Sequence, residues 1–258
     1  MLRPPDDRDR RAEAFARPTA PRTLPEQVAD QIAIAIVRGR YVEDGRIREQ
    51  ELAEEFGVSR GPVREAIRLL ERRGLVVVEP RRGARATRLS VDVIADSFNL
   101  RGCLLGLAAR CFAGLAQPEA QARLAARIDD IASAAEDPAA DPTGFARMVG
   151  RAGAVIARDC GAEQLTRILR EQARYSLWGL LWSERVLDFQ TAARRAEARD
   201  EWRDLAADTS AGRAYEAELK ARDILFRSRD AALAVLFAET GERPDPARAF
   251  ADRFEAWR

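Results

Sequence analysis

The most informative pattern in the chain is a helix-spaced set of apolar residues that begins near residue 60. These residues recur at steps of three and four and predict a helix from about Arg60 to Arg73. Because a helix turns by about 100° per residue, Arg60, Arg64 and Arg68 fall in a stripe beside the apolar face. One face can pack while the other meets solvent or phosphate. Most charged faces are only solvated, so the neighbouring segments must decide between these two interpretations.

This helix is the second member of a predicted helix-turn-helix. A short helix from about Gln50 to Phe56 precedes it, and Gly57 permits the tight turn between the two. Ser59 can accept a hydrogen bond from a free amide of the first turn, and Pro62 is tolerated where amides lack helical partners. Gly74 can adopt the left-handed conformation that ends a helix.

A two-stranded wing is predicted directly after the second helix. Leu75–Glu79 is short and β-branched, Pro80–Gly83 is a turn that carries two arginines, and Ala84–Thr87 can return antiparallel. In this arrangement one helix enters the major groove of DNA while the basic hairpin tip touches the flanking backbone or minor groove.

The rest of the pattern is helical, so the predicted fold class is mostly α. A winged helix-turn-helix at residues 23–89 is followed by an all-helical bundle at residues 90–258, and the proline-rich residues 1–22 are interpreted as a mobile tail. The further helices are predicted at about Pro25–Arg38, with Thr23 as cap, and at Val91–Leu115, Pro118–Glu136, Thr143–Arg158, Ala162–Val186, Gln190–Ala207, Ala211–Glu239 and Pro244–Arg258.

Composition narrows the classes of function. The chain has 258 residues with a net charge of +1, so any affinity for DNA must come from local clusters of charge. It contains no histidine, which removes the commonest general base and the commonest ligand of zinc. Its three cysteines are interpreted as small buried residues in a reducing compartment. No long apolar run and no signal peptide are recognised, and we therefore expect a cytoplasmic protein without a membrane partner.

Several short motifs in the N-terminal quarter of the chain agree in order and spacing with those of a known family. They are Leu52-Ala53, the run Gly57-Val58-Ser59-Arg60-Gly61-Pro62-Val63-Arg64-Glu65-Ala66, Leu70-Glu71, Gly74-Leu75-Val76 and Pro80-Arg81-Arg82-Gly83. This part of the chain resembles the winged helix-turn-helix of the GntR family of bacterial transcription regulators. The resemblance implies that the start of the second helix meets DNA through Ser59, Arg60, Gly61, Pro62 and Arg64, with Arg82 and Gly83 at the wing tip and Gln50 where relatives often place an arginine.

An all-helical C-terminal domain places the chain with the FadR-like branch of this family, which has an FCD-type helical domain. The resemblance implies a homodimer that binds a small metabolite, often a carboxylate, inside the bundle. Many relatives also hold a metal there through an Asp and three His. The corresponding positions here are Val149, Gly153, Trp202 and Ile224, none of which can ligate a metal. We therefore expect no metal site and no other cofactor.

Four residues are candidates for binding such an effector. Arg101 and Arg151 could take a carboxylate bidentately, and Trp178 and Trp202 could line the cavity. Each residue also has a common structural alternative. Arginines of helical domains are often ion-paired at the surface, and aromatic residues often belong to the core or to a dimer interface.

The pattern as a whole predicts a metabolite-responsive transcription regulator that binds a short palindromic operator in double-stranded DNA as a homodimer. The alternative is an effector-blind DNA-binding protein whose helical domain only dimerises. An enzyme is not expected, because Glu163, Glu171, Glu184 and Asp188 form no paired site and no glycine-rich phosphate loop is present. The sign of regulation stays open.

Overall fold

A computed structural model describes residues 23–41, 45–79, 81–87, 90–175, 178–179 and 186–245. Within these ranges the chain forms nine helices and three strands, which confirms the predicted mostly helical fold class. The domain boundaries and the N-terminal tail stay predictions, and residues 1–22 lie outside the described ranges. In chain order the elements are α1 (Leu24–Val37), β1 (Arg46–Ile47), α2 (Glu49–Phe56), α3 (Arg60–Arg72), β2 (Val76–Glu79), β3 (Gly83–Ala86), α4 (Val91–Leu115), α5 (Pro118–Ala135), α6 (Pro142–Asp159), α7 (Glu163–Tyr175), α8 (Ala192–Ser210) and α9 (Ala214–Thr240).

Helices α1 and α3 pack against each other to form the core of the winged domain. Helix α1 begins at a capping interaction in which the Thr23 backbone N–H donates to Glu26 Oε2 over 2.8 Å. The apolar face of α3 is buried, with Val63 and Leu70 fully shielded from solvent. This burial leaves the arginine stripe of α3 on the opposite, exposed side.

The turn between α2 and α3 has the predicted glycine geometry. Gly57 ends α2 with φ of 63°, and Gly74 follows α3 with φ of 72°. A side chain at either position would have to adopt the left-handed conformation that favours glycine. The two helices therefore form the expected helix-turn-helix.

The start of α3 differs from the prediction in one respect. Ser59 has the extended backbone of a capping residue, with φ of −73° and ψ of 164°, yet among the described residues its hydroxyl accepts no capping hydrogen bond. The reason is local: Pro62 occupies the third position of the helix, where the amide that a capping serine commonly binds would stand, and proline has no N–H.

The wing is part of a three-stranded antiparallel sheet in the order β1-β3-β2. Strands β2 and β3 form the predicted hairpin, with Val76 opposite Ala86 and Glu79 opposite Gly83. The third strand, β1, was not among the predicted elements, and it pairs Ile47 with Ala84. Both of these residues are buried, so β1 ties the wing to the segment that leads into α2.

The helical part is built around the long helices α4 and α9, which pack closely along their length. Two glycines of α4 permit this approach. A Cβ atom added to Gly106 would lie 2.5 Å from Arg222 Cγ, and one added to Gly102 would lie 3.0 Å from Phe226 Cε1. The other helices pack around this pair: α6 and α8 each contact α5, and α8 also contacts α9.

Two of the predicted helices need correction. The helix predicted over 162–186 is α7, which ends at Tyr175; residues 178–179 are again helical, and Val186 to Gln190 is irregular. Phe189 adopts φ of 63° in this stretch, and α8 begins only after Thr191, whose hydroxyl accepts from Arg194 N over 3.1 Å. Most of the helix predicted from Pro244 falls on 246–258, outside the described residues.

None of the helices in the described ranges combines the length and the apolar character that crossing a lipid bilayer requires.

Candidate functional site

A basic concavity lies where the starts of α2 and α3 meet the sheet. We use this name for the surface lined by Arg46, Ile47, Arg48, Glu49, Gln50, Arg60, Arg64, Arg82, Gly83 and Ala84. The structure thus brings together five of the residues predicted to meet DNA, which come from three separate segments of the chain. Those five are Gln50, Arg60, Arg64, Arg82 and Gly83.

The predicted arginines extend towards solvent. The side chain of Arg82 is 77% exposed, that of Arg60 58% and that of Arg64 55%. Arg64 Nε donates to Glu49 Oε2 over 2.7 Å, and Arg60 Nη2 reaches the same oxygen over 3.4 Å. Both guanidinium groups are therefore held at the surface, where a phosphate can approach them.

Sequence reasoning missed two arginines of this concavity. Arg46 lies on β1 and Arg48 immediately precedes α2. The available signal was the alternation of Arg46, buried Ile47 and Arg48, which is the two-residue period of a half-buried strand. A segment of only two strand residues is too short for that period to be recognised without its partner strand.

The remaining predicted residues lie at the first turn of α3, outside the set of described residues that line the concavity. Ser59 and Gly61 are exposed and Pro62 is half-buried. A Cβ atom added to Gly61 would meet only Ser59 Oγ, at 3.9 Å, among the described atoms. This turn is open on its outer side, and helix starts of this kind favour anions because their amides lack helical partners.

Gln50 is a neutral member of the concavity. It is exposed at the start of α2, and its amide donates to Glu54 Oε1 over 3.2 Å. It can offer a hydrogen bond to DNA but no charge.

A second candidate site is a cavity of about 200 Å³ inside the helical part. The four positions that the family resemblance equates with metal ligands, Val149, Gly153, Trp202 and Ile224, all line it. Their side chains carry no metal-binding oxygen, sulfur or imidazole. Among the residues that the structure describes, no group of three or more His, Cys, Asp or Glu could hold a metal ion.

Arg101 is the charged group buried at this cavity. It is only 7% exposed, and burial lowers its pKa to about 10. Its Nη1 donates to the carbonyl of Leu169 over 2.8 Å, and its guanidinium carbon lies 5.5 Å from the ring centroid of Trp178. Within the described ranges no carboxylate forms an ion pair with it. Because burying a guanidinium without a counter-charge is costly, an anion bound here would compensate the charge that no carboxylate of the described residues balances.

The other predicted effector residues are placed differently. Trp178 and Trp202 both line the cavity, and Trp202 Nε1 is buried without a hydrogen-bond partner among the described residues. Arg151 is exposed and is not one of the described residues that form the cavity wall, whereas Arg147, one turn earlier, is. The cavity thus combines an apolar wall with one buried cation at its edge.

The fold and the basic concavity define a winged helix-turn-helix followed by a helical domain, and comparisons with known proteins identify the first of these. Residues 24–85, which contain the winged helix-turn-helix, match the family model of the bacterial regulatory proteins of the gntR family. This match leaves the FadR-like assignment of the C-terminal helices as a prediction.

Two curated relatives match about a third of the chain. The uncharacterized HTH-type transcriptional regulator YdhC of Bacillus subtilis is 39% identical over 75 residues, 29% of this chain and 34% of that protein. The HTH-type transcriptional repressor NanR of Klebsiella aerogenes is 40% identical over 84 residues, 32% of each chain. This chain therefore spans about a third of the length of these relatives.

A solved structure extends the likeness to the helical part. It is that of Lar, described as controlling the expression of the Listeria monocytogenes agr system, and it matches with a TM-score of 0.58 at 19% identity. The match covers 83% of this chain and 98% of that one. At this identity the comparison shows that the two share a fold.

Proposed function

We propose that the protein is a transcription regulator that binds double-stranded DNA through the basic concavity. The observation that carries the proposal is the convergence of five arginines, Arg46, Arg48, Arg60, Arg64 and Arg82, around the exposed start of α3. Arginine is suited to this work because its planar donors match both phosphate and guanine. The names of the two relatives, which are a transcriptional regulator and a transcriptional repressor, support the same function.

The test is DNA binding by the variant in which Arg60 and Arg64 are both replaced by Ala. The probe is a duplex selected from random sequence by the wild-type protein. Each lost phosphate contact lowers the salt slope by about 0.9, and each lost guanine contact costs about 1 to 3 kcal/mol. We therefore expect the double variant to lose about 2 kcal/mol or more, at least about thirtyfold in affinity, at constant circular dichroism.

The matched control replaces Arg167, an exposed arginine of α7 that lies outside the concavity. Arg167→Ala should bind the selected duplex as the wild type does. Unchanged affinity of the double variant would refute the proposed interface.

The proposal includes a homodimer on a palindromic operator, since two recognition helices related by a twofold axis match a twofold-symmetric DNA site. Exposed apolar residues on α4 support a second copy as partner. Leu100 is 53% exposed and Leu107 46% exposed, and they lie two turns apart on one side of the helix with exposed Cys103 between them.

The proposal also includes a small carboxylate as effector, bound in the helical cavity. Arg101 supplies a buried positive charge, and the apolar wall around it fits a ligand with an apolar body. Because a carboxylate can take two parallel hydrogen bonds from a guanidinium, it compensates the buried charge better than a neutral ligand would. We assign no catalytic role to the chain.

A further inference from the structure

An acidic side chain lies inside the basic concavity and calls for an explanation. Among the described residues that line this surface, Glu49 is the only acidic one. A carboxylate facing DNA repels phosphate, so on electrostatic grounds alone this position is unfavourable for a DNA-binding surface. Its contacts indicate what it does instead.

Glu49 connects the two arginines at the start of the recognition helix. Its Oε2 atom accepts from Arg64 Nε over 2.7 Å and from Arg60 Nη2 over 3.4 Å. Glu49 is the first residue of α2, so its own backbone is fixed by a helix. Its side chain is 32% exposed, less than the side chain of either arginine.

The atoms used in this contact leave the DNA-reading part of Arg64 available. A guanidinium has five N–H donors, and the bond to Glu49 uses the one on Nε. The two terminal nitrogens form the fork that makes bidentate contacts with guanine O6 and N7. Glu49 thus restrains Arg64 through Nε, and no other described residue forms a hydrogen bond or ion pair with the two terminal nitrogens of Arg64.

From this geometry we propose that Glu49 is a positioning residue that sets the sequence selectivity of the DNA contact. It orders Arg64 and Arg60 before DNA arrives, which removes part of the entropic cost of fixing two long side chains. It also subtracts one positive charge from the concavity, which weakens binding to phosphate in any sequence. Selectivity rises because the base-specific contact is favoured and the unspecific one is disfavoured. The inference rests on the proposed DNA-binding function.

The test is the isosteric variant Glu49→Gln, measured on two duplexes over a range of salt. One duplex is selected from random sequence by the wild-type protein, and the other has the same composition in scrambled order. We expect binding to the scrambled duplex to tighten, with a salt slope steeper by about one. Affinity for the selected duplex should fall roughly threefold, so that the ratio of the two affinities drops by about tenfold.

Two further variants separate position from charge. Glu51→Gln removes a neighbouring charge on α2. Among the described residues Glu51 pairs with Arg48 and not with Arg60 or Arg64, so this variant should tighten both duplexes alike. Glu49→Asp keeps the charge but shortens the reach, and it should weaken the selected duplex while leaving the scrambled one unchanged. Circular dichroism confirms that each variant is folded.

The outcomes distinguish this inference from the function on which it rests. If the wild type binds its selected duplex and Glu49→Gln leaves the affinity ratio within twofold, or behaves as Glu51→Gln does, the positioning role is overturned and the DNA-binding function stands. If the wild type selects no duplex and shows no salt-dependent binding, the proposed function and this inference are both overturned.

Discussion

Replacing Arg101 by Met tests the idea that the helical cavity holds a buried charge in need of a ligand. Burial lowers the pKa of Arg101 to about 10. The buried guanidinium therefore binds its proton more than a hundredfold less tightly than a free arginine does. At about 1.4 kcal/mol for each tenfold change, the fold bears a cost of about 3 kcal/mol to keep this group charged. Methionine has a similar length and carries no charge.

Two favourable contacts would be lost with the guanidinium. One is the hydrogen bond to the Leu169 carbonyl, worth about 1 kcal/mol, and the other is the contact with the Trp178 ring, worth about 0.5 to 1 kcal/mol. The net expectation for Arg101→Met is a gain of roughly 1 to 2 kcal/mol in the free energy of unfolding. For a chain of this size that raises the melting temperature by about 2 to 8 °C.

The assay is thermal unfolding followed by circular dichroism, with and without short aliphatic and aromatic monocarboxylates. A carboxylate at a hundred times its dissociation constant should stabilise the wild type by about 2.7 kcal/mol. It should not stabilise Arg101→Met, and the corresponding neutral amides should stabilise neither protein. Arg151→Met, at an exposed position, should change stability by less than about 0.5 kcal/mol and keep the ligand response.

Two results would refute this reasoning. A loss of more than about 1 kcal/mol in Arg101→Met would show that the guanidinium already has a compensating partner within the protein. If none of the carboxylates stabilises the wild type, the result would favour the alternative of an effector-blind DNA-binding protein.

Two further predictions concern packing and assembly. Gly106→Ala should destabilise the protein by about 1 to 3 kcal/mol, because its Cβ would lie 2.5 Å from Arg222 Cγ and 3.0 Å from a backbone carbonyl of α9. The control is Gly114→Ala on the same helix, where an added Cβ would meet no described atom within 4 Å. In urea unfolding this variant should be neutral or stabilised by up to about 1 kcal/mol. Equal effects at both sites would contradict the close packing of α4 and α9. Replacing Leu100 and Leu107 by Glu should convert a dimer into monomers in sedimentation velocity at constant circular dichroism, and an unchanged sedimentation coefficient would place the dimer interface elsewhere.

Much of the winged domain could be predicted because its signals are local. Gly57 and Gly74 stand where the chain must adopt positive φ, and the apolar period of α3 fixes which face is buried. The arginine stripe then falls on the exposed face without further information. For the same reason the helical fold class followed from periodicity alone.

The observed structure differs from the sequence-based prediction where a local conformation depends on another segment or residue of the chain. Strand β1 exists because β3 pairs with it, and two residues carry too little pattern to reveal this. The missing cap of Ser59 follows from a proline three positions later, which removes the amide that the hydroxyl would bind. The end of α7 could not be placed because apolar residues continue past it, while the left-handed conformation of Phe189 belongs to a non-glycine residue.

The cavity shows a further limit of sequence reasoning. Arg101 and Arg151 are equivalent as residue types, and only packing buries the first and leaves the second at the surface. Trp178 and Trp202 reach the same cavity from different segments of the chain. Helical periodicity indicates that a residue faces inward, but the particular neighbours depend on how the helices cross.

The pairing of β1 with β3 has a mechanical consequence. β1 is followed by a single residue, Arg48, before α2 begins. The hairpin and the helix-turn-helix are therefore connected through the backbone hydrogen bonds between β1 and β3 and not only through a flexible linker. The distance between a groove contact made by Arg64 and a flanking contact made by Arg82 is therefore set within the folded protein. Inserting or deleting one base pair between these two contact points in a half-site should be poorly tolerated, since neither contact can shift to follow the DNA.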